Sequence, residues 1–369
     1  MEFAPAGPPE NRFHGGSRAI ISPPGRGKIA SRGKIASRGN RHRRASIRNE
    51  EPILQIYDSH STAARLPFDK LIPALARMFR EGCIVPRRHN HALGTTASGA
   101  HNSLLIMPAW REGGHLGIKH VTIFPDNGKR GLPGLHSTYT LFDAANGVPL
   151  ALIDGDQITT RRTAAASALA ASYLARRDAH TLLVVGAGNV AALLAPAYAA
   201  VRDITRVLVW NRNPAKAEAL VQELKLQGFD AHAEPELESG VRQADIVSCA
   251  TLSQEPLVRR AWLRPGTHLD LIGSFQPSMR EADDAAFADT AVFIDTEEAL
   301  DKAGDLLSPI AAGVFSRDRV LATLEALCRD QHPGRRNDEE ITVYKAVGTA
   351  LEDLAAATLV YETQRAGAA

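Results

Sequence analysis

A β-forming run that breaks into two glycines offers the clearest chemistry in this sequence. Thr181-Leu-Leu-Val-Val-Gly186-Ala-Gly188-Asn189-Val190-Ala191 reads as a strand, a Gly-x-Gly-x-x-Ala turn and the start of an Ala/Leu-rich helix. Gly186 permits the tight turn, Gly188 lets backbone come close to a pyrophosphate, and Ala191 lets helix and strand pack closely. Through Asn189 and Val190 the turn opens a helix whose free N–H groups attract a diphosphate. The pattern alone is weak in a chain rich in Ala and Gly. Here the required strand precedes it and the required helix follows, so a dinucleotide is the expected ligand.

The next strand indicates which dinucleotide. Arg206-Val-Leu-Val-Trp210 ends in Asn211-Arg212-Asn213-Pro214, with Lys216 one turn into the following helix. A carboxylate at this strand tip would bind the ribose hydroxyls of NAD and repel a 2′-phosphate. Asn211, Arg212 and Lys216 present no such charge, and a guanidinium pairs bidentately with phosphate. NADPH is therefore expected over NADH, with NADH still possible if Arg212 is only a solvated loop charge. Thr251 and Ser274-Phe275 fall just beyond later strands, where open α/β sheets bind cofactors. Phe275 is read either against a ring of the ligands or in the core.

The elements around these motifs alternate. Thr181–Val185, Arg206–Trp210, Ile246–Ala250, Thr267–Ile272 and Val292–Ile294 read as strands. Helical segments lie at Val190–Ala200 and Pro214–Leu226, so a mostly parallel, doubly wound sheet is expected. Before it, Pro67–Glu81 has the periodicity of an amphipathic helix. Ser103–Met107, Ile118–Phe124, Thr138–Phe142 and Pro149–Ile153 read as an antiparallel sheet. An Ala-rich helix over Ile158–Ala175 leads into the parallel domain. Ile341–Thr363 reads as one long helix, with Glu352 and Asp353 on its exposed side.

Charge is unevenly spread. Residues 1–50 hold 11 Lys/Arg against 3 Asp/Glu, leaving 32 basic and 38 acidic residues, a net of −6, for the rest. That head repeats Gly-Lys-Ile-Ala-Ser-Arg among Pro and Gly and is expected to be disordered. A nucleic-acid tail and a transit peptide are alternative readings of it; an extension with no part in catalysis is preferred. No apolar run approaches a membrane span. Cys83, Cys249 and Cys328 have neither metal-ligand spacing nor a disulfide framework, which suits a reducing, cytoplasmic setting.

Seven motifs, in order along residues 54–365, together resemble the ornithine cyclodeaminase/mu-crystallin family. They are Val85-Pro-Arg-Arg88, Met107-Pro-Ala-Trp110, Gly117-Ile-Lys119, Ile158-Thr-Thr-Arg-Arg162-Thr-Ala-Ala, Val184–Val190, Ile272-Gly-Ser-Phe-Gln-Pro-Ser-Met-Arg-Glu281 and Ile341-Thr-Val-Tyr-Lys-Ala-Val-Gly348. The resemblance implies a homodimer. It also implies a Rossmann NAD(P) domain, here 161–329, flanked by an α+β substrate and dimerisation domain from 53–160 and 330–369, with 1–52 as the basic extension. Cyclodeaminases of this family carry Asp where this chain has Phe275, Lys where it has Met279 and Glu where it has Leu105. Phe275 can neither accept a proton nor hold an ammonium group, so ornithine deamination loses its acid/base machinery. Trp210-Asn211-Arg212 and Gly273-Ser-Phe-Gln-Pro-Ser-Met-Arg-Glu281 resemble the ketimine reductases of the family, the bacterial Δ1-pyrroline-2-carboxylate reductases most closely.

The resemblance implies reduction of a small cyclic imino acid, by hydride transfer to C2. Arg88 and Lys119 match the positions that bind the substrate carboxylate, Arg87 being the rival for Arg88. Arg162, read near a helix start, is assigned to the cofactor side beside that carboxylate. Thr138 is grouped with the cofactor residues, and Ala346 matches a position at the nicotinamide amide. An imine that arrives protonated needs no strong acid; Ser103 is a candidate to relay a proton through water, with His89 and His91 as alternatives. No metal is expected. The competing readings are an ornithine cyclodeaminase, an alanine-type dehydrogenase and a non-catalytic binding protein.

Overall fold

The computed structural model describes residues 54–366 except 97, 98 and 100, so the expectation for the basic head lies outside the described residues. Two sheets organise what is described. The first contains β1 (Gln55–Tyr57), β2 (His89–Thr95), β3 (His101–Trp110), β4 (His115–Ile123), β5 (Leu135–Asp143) and β6 (Pro149–Asp154). Its order is β1-β6-β5-β4-β3-β2, antiparallel except for the parallel pair β1 and β6. The second is parallel throughout. It contains β7 (Thr181–Val185), β8 (Arg206–Trp210), β9 (Ala231–Ala233), β10 (Ile246–Cys249), β11 (His268–Leu271), β12 (Ala291–Ile294), β13 (Val320–Thr323) and β14 (Thr342–Lys345).

The parallel order is β13-β12-β14-β11-β10-β7-β8-β9. The chain leaves β7 for β8 on one side and later returns to β10 on the other. That reversal opens a crevice at the C-terminal ends of β7 and β10, where such sheets bind ligands. β7, β10, β11, β12 and β14 are buried along their whole length, as strands covered on both faces must be.

The helices, in chain order, are α1 (Ser59–Ala64), α2 (Phe68–Glu81), α3 (Gly155–Leu174), α4 (Ala191–Ala199), α5 (Pro214–Leu226), α6 (Leu237–Gln243), α7 (Ala299–Lys302), α8 (Gly304–Ala311), α9 (Leu324–Cys328) and α10 (Ala350–Ala366). Asp154 caps α3 by accepting the Gln157 N–H. Ala164 to Ala171 are all buried, since α3 packs on α2, α4 and α10 and on β11 and β14 at once. Only small side chains let one helix approach so many neighbours.

Three expectations are corrected. Ile341–Thr363 is not one helix: β-branched and aromatic Thr342–Lys345 fill the gap between β11 and β12 as a strand, and α10 starts only at Ala350. The segment 330–369 therefore contributes to the parallel sheet as well as to α10. Glu352 and Asp353 are buried, because α10 lies between α3 and the inner face of the antiparallel sheet. Arg162 stands two turns inside α3, which begins at Gly155, so it is not a helix-start cation.

Candidate active site

The crevice between β7 and β10 is a cavity of about 820 Å³. Gly186, Gly188, Asn211, Arg212, Lys216 and Thr251 all line it. Gly186 has φ +123°, and a Cβ there would sit 2.6 Å from the Ala250 carbonyl oxygen. A Cβ on Gly188 would meet nothing within 4 Å, which leaves the space a pyrophosphate needs. No side chain caps the N-terminus of α4; the Ala192 and Leu193 N–H groups turn back to the Gly188 and Val190 carbonyls, so an anion would be met by the N–H groups of the glycine turn ahead of them. Asn189 and Val190 form the turn into that helix. The carboxylate in the lining, Glu255, comes from the loop after β10 and not from the β8 tip. These residues fit a dinucleotide.

Thr251 and Ser274 shape the crevice more than they face it. The Thr251 N–H and Oγ1 both donate to Glu281 Oε1, at 2.7 and 2.8 Å, while the Gly273 N–H donates to Glu281 Oε2 at 2.6 Å. One buried carboxylate thus ties together the loops after β10 and β11. Burial raises the pKa of Glu281 against the pull of Lys345. Ser274 is buried; its hydroxyl donates to the Met279 carbonyl and accepts the Asp305 N–H, so its side chain is committed to the loop. Phe275 is 41% exposed on the same loop. Ala346 is buried just past β14, with its N–H given to the Leu271 carbonyl.

A second cluster lies on the inner face of the antiparallel sheet. Lys119 in β4 is 2% exposed and ion-paired with Asp353 Oδ2 of α10 at 2.7 Å; its Nζ also donates to Thr159 Oγ1 at 3.2 Å. Arg162 Nε donates to Asp353 Oδ1 at 3.0 Å, and its Nη1 to Glu352 Oε2 at 2.6 Å. Asp353 therefore bridges two buried cations. Burial pushes the Lys119 ammonium down to about 8 although Asp353 pulls it up. Burial also raises the Glu352 carboxyl, with Arg162 opposing. Gly117 lies on the same face as Lys119, and a side chain there would overlap the Tyr139 hydroxyl.

Arg88 joins this cluster to the parallel sheet. It lies between α2 and β2, and its Nη2 donates to the Gly348 carbonyl at 2.9 Å and pairs with Glu298 at 3.2 Å. Gly348 and Val347 in turn give their N–H groups to Asp295 Oδ2, at 2.6 and 2.7 Å. Asp295 follows β12 at the same strand ends as Gly186, Ala250, Ile272 and Ala346. Arg88 and Arg162, both against Gly348, thus lie at the same strand ends as the crevice.

Other expected residues do not join. Arg87 is exposed, and Arg88 is the one turned inward. His89 and His91 stack on each other along the exposed edge strand β2, and no group of possible metal ligands occurs among the described residues. Ser103 shares a face with Lys119 but pairs with Ile123, four residues along β4, about 13 Å away at strand spacing. Thr138 is exposed on the opposite face from Tyr139, by simple strand alternation.

Residues 68–368 match the model of the ornithine cyclodeaminase/mu-crystallin family. The chain belongs to that family. The Δ1-pyrroline-2-carboxylate reductase of Colwellia psychrerythraea is 36% identical over 313 residues, covering 84% of this chain and 99% of the relative. The structure of the Thermococcus litoralis Δ1-pyrroline-2-carboxylate reductase in complex with NADH and L-proline has TM-score 0.80 and 30% identity, covering 85% of this chain and 98% of that one. An archaeal alanine dehydrogenase dimer with bound NAD has TM-score 0.79 and 28% identity, over 86% and 97% of the two chains.

In this member of the family, the anionic half of the cluster is Glu352 and Asp353, expected on an exposed helix face, with Asp295 and Glu298, which residue types alone do not single out. One signal was present for two of them. Glu352 and Asp353 are adjacent acids in an otherwise Ala/Leu-rich helix, four and five residues after Gly348.

Proposed function

We propose that this chain is an NADPH-preferring reductase of Δ1-pyrroline-2-carboxylate and its six-membered homologue, yielding proline and pipecolate. The observation that carries this reading is the pair of cations Arg88 and Lys119, near enough to act on each other electrostatically and each held by an anion from elsewhere in the chain. Arg88 offers a fork and Lys119 a point charge to one carboxylate. Two charge-assisted hydrogen bonds, each worth about 1.5–3 kcal/mol, suffice to orient a small ring. Arg162 acts behind Lys119, through Asp353.

A reduced nicotinamide, when bound, supplies the hydride. Gly186, Gly188 and the start of α4 would hold its diphosphate, and Arg212 with Lys216 its 2′-phosphate. Phe275 and Leu105 stand where cyclodeaminases of the family are expected to carry acids, which favours reduction over deamination. Ile56, which is 74% exposed, continues through Leu152, Thr140, Ile118 and Pro108 as an outer row of the antiparallel sheet, suited to a second copy of the chain. No helix among the described residues is long and apolar enough to cross a membrane. Turnover of pyrroline-2-carboxylate with NADPH, beside NADH and beside ornithine with NAD, tests the reading. Imine-dependent oxidation faster with NADPH is expected. Ammonia release from ornithine without imine turnover refutes it.

A further inference from the structure

Arg88 and Glu298 meet from separate parts of the fold, one between α2 and β2 and the other at the start of α7 after β12. Both contacts of Arg88 use Nη2. That nitrogen belongs to both bidentate faces of a guanidinium, beside Nε on one and beside Nη1 on the other. The Gly348 carbonyl accepts a hydrogen bond from it at 2.9 Å, and Glu298 Oε2 lies 3.2 Å from the same nitrogen as an ion pair. A two-oxygen acceptor can be gripped on either face only when one of these partners leaves.

The two partners differ in freedom. Gly348 is fixed by the Asp295 contacts to its own N–H and to that of Val347, and it packs directly on Arg162. Glu298 is a side chain at 29% exposure, and it keeps a second cation, Lys302, one turn along. It can leave Arg88 without being stranded. Arg88 and Lys302 hold its carboxyl below the usual range against the effect of burial, so it stays ionised at neutral pH.

We propose that Glu298 sets substrate affinity by occupying the Arg88 fork as an internal carboxylate that the substrate's carboxylate displaces. This rests on the reading that Arg88 receives the substrate. The exchange replaces one anion by another, so Arg88 is not left unpaired at any stage. A ligand without a carboxylate gains nothing from the exchange. Glu298 therefore acts through Arg88 and discriminates against neutral ring imines.

The test uses the full chain with E298Q and K302M. KM and kcat for pyrroline-2-carboxylate are measured beside the rate at which phenylglyoxal modifies Arg88, followed by peptide mass spectrometry. E298Q is expected to lower KM by about twofold to fivefold, the factor matching the worth of a partly exposed ion pair, with a smaller change in kcat. Arg88 modification should accelerate by a similar factor. K302M removes the alternative partner of Glu298 and should move KM and the modification rate the opposite way. A rise in KM for E298Q, or an unchanged modification rate in both variants, overturns the proposal. Failure of the unsubstituted chain to reduce the imine would overturn the reading of function instead, and the modification rates would still decide the role of Glu298.

Discussion

Asp353→Asn removes the single anion that Lys119 and Arg162 share, at 2.7 and 3.0 Å, in a buried site. Arg162 keeps Glu352, but Lys119 keeps only the Thr159 hydroxyl. Burial already pushes the ammonium down to about 8, and Asp353 is what opposes it, so the substitution lowers it further. Losing one partner of a buried pair costs about 3–5 kcal/mol. If about 2.7 kcal/mol of that falls on the charged form of Lys119, its pKa drops by about two units, to about 6. At about pH 7 the protonated form then changes from about a tenfold excess to about a tenfold deficit. The assay is kcat/KM for the imino acid against pH, since this ratio reports ionisations of the free enzyme. In the unsubstituted chain its alkaline limb should begin near pH 8, because Lys119 must be charged to hold a carboxylate. In D353N the limb should move about two units towards acid, with activity regained at low pH, and D353E should restore part of it. A limb that stays near pH 8 while kcat/KM falls equally at every pH would refute the reasoning and leave Asp353 a purely structural role.

Arg212→Ala should raise the KM for NADPH by about tenfold or more while changing that for NADH little, the loss of a charge-assisted fork to phosphate; equal effects on both cofactors would remove the basis for NADPH preference. Gly348→Ala should destabilise the fold by about 2–5 kcal/mol in urea unfolding, because φ is +77° and the new Cβ would overlap the Arg162 guanidinium. Asp270 is buried among the hydroxyls of Ser167, Tyr198 and Ser248, and burial raises its pKa from 3.8 to about 6. An acid raised on folding favours the folded state fully below its unfolded pKa and loses that contribution as pH rises through its folded pKa. Unfolding free energy should therefore fall by about 3 kcal/mol between about pH 4 and pH 7 on this account, and D270N should flatten the slope; parallel curves would refute the assignment.

Local sequence determined the dinucleotide crevice. Its strand, glycine turn and helix are contiguous, and Gly186, Gly188, Arg212 and Lys216 come to line it through backbone geometry and strand-tip placement that short-range spacing encodes. Strand alternation likewise places Lys119 on one face of β4 and Thr138 on the other face of β5, once the register is known. The charge cluster was legible only in part, because its contacts join residues far apart in sequence: Lys119 and Arg162 with Asp353, Arg88 with Glu298 and Gly348. An acid in an Ala/Leu-rich helix reads as solvated unless its neighbours are known. Only the packing of α10 between α3 and the antiparallel sheet buries Glu352 and Asp353, and burial forces them to pair with Arg162 and Lys119. Composition and spacing carry the chemistry of groups that act alone, whereas charges that must neutralise one another out of water are assigned by the tertiary fold.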